Sequence, residues 1–223
     1  FHSLKYNTMG FLKNNLVAAL ILQAVVSGNN LYADVYRQNI NEGWKFRQAR
    51  LNNWYDATVP GVVHTDLMDN AIIDDPFFRL NERAVQWVDK EDWIYETVII
   101  GEDKVLNSSN QCLVFKGLDT YADVYLNDSL ILKADNMFRE WSVDVKGILK
   151  KGDNKLRVYF HSPIKIDMPK WEALPYQLES GNDQSENGGL LDRKIGIFAR
   201  GTGGHDWLLL VYGDLFILKH GMM

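Results

Sequence analysis

Residues 115–141, FKGLDTYADVYLNDSLILKADNMFREW, decide the fold. Within them Ala122-Asp123-Val124-Tyr125-Leu126 alternates in polarity, so Ala122, Val124 and Leu126 fall on one face and Asp123 and Tyr125 on the other. That is the pattern of a half-buried strand. Asn127-Asp128-Ser129 supplies a turn, and Leu130 to Lys133 reads as the returning strand.

The same pattern of short aromatic and β-branched runs between breakers extends in both directions. Strands are predicted at Trp44 to Gln48, Trp93 to Ile100, Gln111 to Phe115, Trp141 to Asp144 and Leu156 to His161. Gly101-Glu102-Asp103, Gly117 and Lys151-Gly152-Asp153-Asn154 separate them. Many short strands at this spacing indicate an all-β sandwich. One helical turn is expected at His64 to Met68, with Leu67 and Met68 inward, and a long irregular loop between Pro163 and Asn187.

Bulk properties narrow the function classes. The chain has 223 residues, 46% of them hydrophobic and 12% aromatic, with 17 glycines and five prolines, enough to bury a sizeable core. A formal charge of −5 without clustered Lys and Arg argues against a nucleic-acid partner. Cys112, the single cysteine, lies in an apolar run and reads as a buried core thiol. No Cys/His cluster has zinc spacing, so no metal or other cofactor is proposed, and His2, His64, His161, His205 and His220 each read as isolated surface or capped residues.

Near the start, Lys13-Asn14-Asn15 precedes the apolar run Leu16 to Val26 and then Ser27-Gly28, the layout of a secretory signal peptide. Residues 1–30 are therefore expected to be upstream residues and a leader, and the mature chain to be extracytoplasmic, secreted or periplasmic, with no membrane span after leader removal. Asn107-Ser108-Ser109 and Asn127-Asp128-Ser129 both fit the N-glycosylation triplet.

Several motifs in fixed order carry a family resemblance: Trp54-Tyr55-Asp56-Ala57-Thr58-Val59-Pro60-Gly61-Val62-Val63-His64-Thr65-Asp66-Leu67, the Trp93-Ile94-Tyr95 strand, Gly117 to Asn127, Ala134-Asp135-Asn136-Met137-Phe138, and Phe160-His161-Ser162-Pro163-Ile164. Together they resemble the N-terminal domain of β-mannosidases of glycoside hydrolase family 2, over roughly residues 41–194. The resemblance implies a jelly-roll, galactose-binding-like sandwich at 41–200 and, for the full-length relative, retaining hydrolysis of terminal β-mannosides. That reaction needs two carboxyl groups about 5 Å apart, which in the family are barrel glutamates. A barrel takes about 250 residues, and none is read here, so the domain is expected to be inactive alone and no catalytic residue is assigned.

Asn81-Glu82 looks like the family's acid/base pair, but it lies inside the sandwich match and reads as a turn or surface element. Asp119 and Asp123 have no reason to converge and read as turn-capping and exposed residues. The alternative function is a free-standing carbohydrate-binding module, with Trp171, Tyr176, Asn182 and Asp183 in the long loop stacking on and hydrogen-bonding a sugar; of these, Asn182 and Asp183 are the substrate-binding assignments.

The tail departs from the family pattern. After Arg193-Lys194 relatives reach Trp-Asp-Trp-Gly, whereas this chain runs Gly201-Thr202-Gly203-Gly204-His205-Asp206-Trp207. Read from the third base of the Arg200 codon, shifted codons ending inside those of Gly201 to Asp206 can encode Trp, Asp, Trp, Gly, Pro and Arg. Those ending inside Val211 to Asp214 can encode Gly, Ile, Trp and Arg, again as in the family. Residues 201–223 therefore read as an out-of-frame tail, with Asp206-Trp207 a decoy. Its apolar runs are then not selected to pack on the sandwich, an aggregation liability if exposed.

Overall fold

The computed structural model describes residues 34–176 and 211–219. Its strands are β1 (Asp34–Asn39), β2 (Lys45–Gln48), β3 (Tyr55–Asp56), β4 (Trp93–Gly101), β5 (Asn110–Leu118), β6 (Ala122–Leu126), β7 (Ser129–Ala134), β8 (Trp141–Asp144), β9 (Gly152–Phe160) and β10 (Val211–Lys219). They form a six-stranded sheet in the order β3-β2-β4-β9-β6-β7 and a four-stranded sheet in the order β1-β10-β5-β8. Short helices fill the connections: α1 (Val63–Asp69), α2 (Asn81–Ala84), α3 (Asp103–Leu106) and α4 (Pro163–Glu172).

The hairpin quoted first forms as its pattern dictates. Ala122, Val124 and Leu126 are buried, and Leu126 pairs with Ser129 so that Asn127 and Asp128 alone make the turn. Both turn residues have positive φ, 50° and 65°, which Asn and Asp tolerate and which matches the twist of the flanking strands. The inward residues join one core drawn from both sheets, including Phe46, Tyr95, Val124, Val158 and Phe160 from the larger and Leu113, Phe115 and Leu118 from the smaller.

Three expectations are corrected. Cys112 is half-buried, because in β5 it alternates with the buried Gln111 and Leu113 and faces away from the core. Gly152 to Asn154 belong to β9 and are not a break, and Asn154 is fully buried there. The loop predicted from Pro163 begins instead as α4, because proline at a first helical position forfeits no hydrogen bond and the preceding Ser162 caps it, its Oγ accepting the Lys165 N–H at 3.3 Å. Pro169 lies inside the helix and removes a donor there, the signal that made the sequence read as irregular.

The tail read as not selected to pack on the sandwich supplies β10, which pairs antiparallel with β5 from Val211↔Leu118 to Leu218↔Asn110. A run such as Val211-Tyr212-Gly213-Asp214-Leu215-Phe216-Ile217-Leu218 has high strand propensity, and backbone pairing at an open edge asks for little more.

Buried polar residues clamp one end of the sandwich. Asn154 Oδ1 accepts from Asn127 Nδ2 at 2.7 Å and from the Lys150 N–H at 2.8 Å, and Asn154 Nδ2 donates to the carbonyls of Lys150 and Gly152 at 2.7 and 2.8 Å. Gly101 lies against the same turn, where an added Cβ would sit 2.0 Å from the Lys150 carbonyl oxygen, so no side chain fits.

Candidate functional site

At the other end of the six-stranded sheet the register aligns Gln48, Trp93, Phe160, Ala122 and Ala134 across five strands. One step inward, on the outer face, stand Tyr159, Asp123 and Lys133. Asp123 is held from both sides: its Oδ2 lies 3.1 Å from His161 Nε2 and its Oδ1 3.2 Å from Lys133 Nζ. The Tyr159 and His161 rings are 4.7 Å apart. His161 is thus a partnered residue and not an isolated one, and Asp123 is largely covered and not exposed, since the strand register packs neighbours over it.

Tyr159 leads to a second carboxylate. Its hydroxyl donates to Asp92 Oδ2 at 3.0 Å, the Ser162 N–H donates to Asp92 Oδ1 at 2.8 Å, and Lys165 Nζ lies 3.3 Å away. Burial pushes the Asp92 carboxyl up, but these three partners outweigh it and hold the group below the ordinary carboxylate range. Burial, the accepting carboxylate and its charge push Tyr159 up to about 12. A third cluster hangs from α4: the Tyr121 hydroxyl donates to Asp167 Oδ1 at 2.6 Å, and Lys170 Nζ reaches the same oxygen at 3.0 Å.

Beneath these lies a buried carboxylate that the sequence reading missed. Asp66 is 1% exposed, and its oxygens accept from the Thr58 N–H at 2.8 Å and the Tyr95 hydroxyl at 2.7 Å. Burial raises its pKa, with the two hydrogen bonds opposing, and burial together with the adjacent carboxylate raises Tyr95 well above a tyrosine's usual value. The signal was present: the helical spacing that turns Val63 and Leu67 inward turns Asp66 inward too, whereas Met68 is only half-buried.

The residues singled out from sequence fare differently. Asn81-Glu82 opens the short helix α2, where Asn81 Nδ2 donates to the Asp75 carbonyl at 2.9 Å, a local structural role as read. Asp119 is half-buried beside Thr120 across a cis peptide bond, and burial raises its pKa against the opposing Thr120 hydrogen bond. Tyr176 is exposed beyond α4, and Asn182 and Asp183 lie outside the described residues, as do residues 1–30. Among the described residues no group of three or more His, Cys, Asp or Glu gathers as a metal site. Asp66, Asp92, Asp123 and Asp167 are each held by a cation, a hydroxyl or a backbone N–H, an arrangement that fixes the surface.

Many of the exposed apolar side chains lie on connections near this end, while Val98, Ile100 and Leu130 are exposed toward the other. Leu51 and Trp54 project from the β2–β3 connection, Ile72, Phe77, Phe78 and Leu80 from the connection leading into β4, and Leu174 and Tyr176 from the segment after α4. The opposite end presents Glu102, Asp103, Lys104, Lys146, Lys150, Lys151 and Asp153 to solvent.

Two packed sheets with this strand order define a galactose-binding-like β-sandwich of the kind glycoside hydrolases carry. The family model described as "Glycosyl hydrolase 2 galactose-binding domain-like" matches residues 44–210, and the chain belongs to that family. Among its relatives, β-mannosidase B of Emericella nidulans is 40% identical over 126 residues, 54% of this chain and 15% of that protein. The Bos taurus β-mannosidase is 33% identical over 149 residues, 67% of this chain and 17% of that protein. The solved β-D-mannosidase of Dictyoglomus thermophilum matches with a TM-score of 0.69 and 34% identity, over 81% of this chain and 22% of that one. The chain thus spans under a fifth of the curated relatives it matches, corresponding to their N-terminal, non-barrel part.

Proposed function

We propose that this chain is the N-terminal docking sandwich of a β-mannoside hydrolase and performs no hydrolysis by itself. The observation that carries the reading is the set of large exposed apolar side chains, Leu51, Trp54, Ile72, Phe77, Phe78 and Leu80, on the connections between β2 and β4. A patch of this kind on a soluble domain marks an interaction surface, and more than four-fifths of the relatives' length lies beyond what this chain covers. Carbohydrate is the substrate class of the family, and terminal β-mannoside is the substrate we assign to the full-length enzyme. Purified chain incubated with a chromogenic β-mannoside is expected to release no chromophore above buffer, and saturable hydrolysis would overturn the assignment.

We further propose that the leader read at residues 1–30 carries the chain out of the cytoplasm, and that the coding frame breaks between about Lys194 and Arg200. The family match continues to residue 210 in the visible frame, so the DNA decides the second point. Resequencing the locus is expected to reveal codons that encode Trp-Asp-Trp-Gly-Pro-Arg one frame over, and codons that do not will sink the idea.

A further inference from the structure

The two glycosylation triplets have opposite structural fates. Asn107 closes α3 at the charged end with its residue exposed, Ser109 beside it is exposed, and Ser108 between them is buried with its Oγ donating to the Lys104 carbonyl at 2.9 Å. That fixes the segment with Asn107 facing solvent. Asn127 has both amide hydrogens committed: Nδ2 donates to Asn154 Oδ1 at 2.7 Å and to the Ile148 carbonyl at 3.1 Å, while its Oδ1 accepts the Lys155 N–H at 3.1 Å.

We propose that Asn107 is an N-glycan attachment site of the folded domain and that the fold refuses a glycan on Asn127. This rests on the extracytoplasmic reading above. In the transfer, a bond forms between Nδ2 and the sugar C1, the C1–O bond to a lipid-linked diphosphate donor breaks, and one amide proton leaves with the lipid diphosphate. Asn107 loses nothing by this, and its glycan projects into solvent beside the exposed Glu102, Asp103 and Lys104. Asn127 would lose one of its two donated bonds and force a sugar between itself and Asn154, which is 0% exposed. Since transfer precedes folding, chains modified at Asn127 are those that fail to fold.

The test expresses the full chain in a secreting yeast behind a heterologous leader, which imposes the route whatever the native leader does. Protease-resistant material from medium and cells is then mapped by glycopeptide mass spectrometry with and without glycosidase. The expected map is Asn107 occupied and Asn127 bare. Ser109→Ala, which leaves Asn107 in place, is expected to remove the glycan completely. Ser129→Ala, which leaves the Asn127 clamp in place, is expected to keep it and to match or exceed the wild-type folded yield. Occupied Asn127 in protease-resistant chains, or bare Asn107 there, overturns the proposal. Expression behind the native residues 1–30 is scored separately by whether the chain reaches the medium, and its failure touches only the leader.

Discussion

Asn154→Leu is expected to destabilise the domain by about 3–5 kcal/mol, lowering the thermal midpoint by roughly 10 °C. The loss follows from what stays behind. Asn154 is 0% exposed, and removing its amide strands the Lys150 N–H, two carbonyls and one hydrogen of Asn127 without water to replace it. Aspartate is no rescue, since it keeps the acceptor but sets a carboxylate against the carbonyls of Lys150 and Gly152. Urea unfolding followed by tryptophan fluorescence reads the effect, and a loss below about 1 kcal/mol would show that the clamp is dispensable.

The second large effect belongs to Asp66. Asp66→Ala is expected to cost about 2–4 kcal/mol, because the Tyr95 hydroxyl and Thr58 N–H lose their acceptor inside the core. Asp66→Asn keeps an acceptor for Thr58 and a donor for the Tyr95 oxygen, so it is expected to restore most of that loss.

The pH dependence separates Asp66 from Asp92. Burial raises the folded pKa of Asp66 above its unfolded value, so its contribution to stability is complete below the ordinary carboxylate value of about 4 and is lost as pH rises through the folded pKa. Asp92 is shifted down, so its contribution is present above that value and lost as pH falls. Relative to Asp66→Asn, wild type is therefore expected to gain stability between pH 7 and about pH 4. Relative to Asp92→Asn, it is expected to lose stability as pH falls through and below that value. Denaturant midpoints across this range check both, and slopes of the same sign would contradict the assignment.

Much of both sheets is legible in the chain because many of their strands alternate. β6 and β8 begin and end where the pattern places them, and β4 differs by one residue. The errors have a common source in partners distant along the sequence. His161 and Asp123 are 38 positions apart and meet only because β9 pairs with β6, a register no local pattern announces. Asn154 reads as part of a turn, and its burial follows from a cap shared with Asn127, 27 positions away. Prolines at 163 and 169 mask α4 because a proline that begins a helix, or one carried inside it, reads in isolation like one that breaks it.

The place of β10 in its sheet has a consequence for synthesis. It lies between β1 and β5, so the first described strand gains its neighbour only when the last one emerges. The six-stranded sheet, built from residues 45–160, has all its strands well before that moment. An error in translation beyond Arg200 therefore strikes after most of the scaffold is complete. What such an error would change is the single strand between β1 and β5, so the frame break proposed above leaves the larger sheet's sequence untouched.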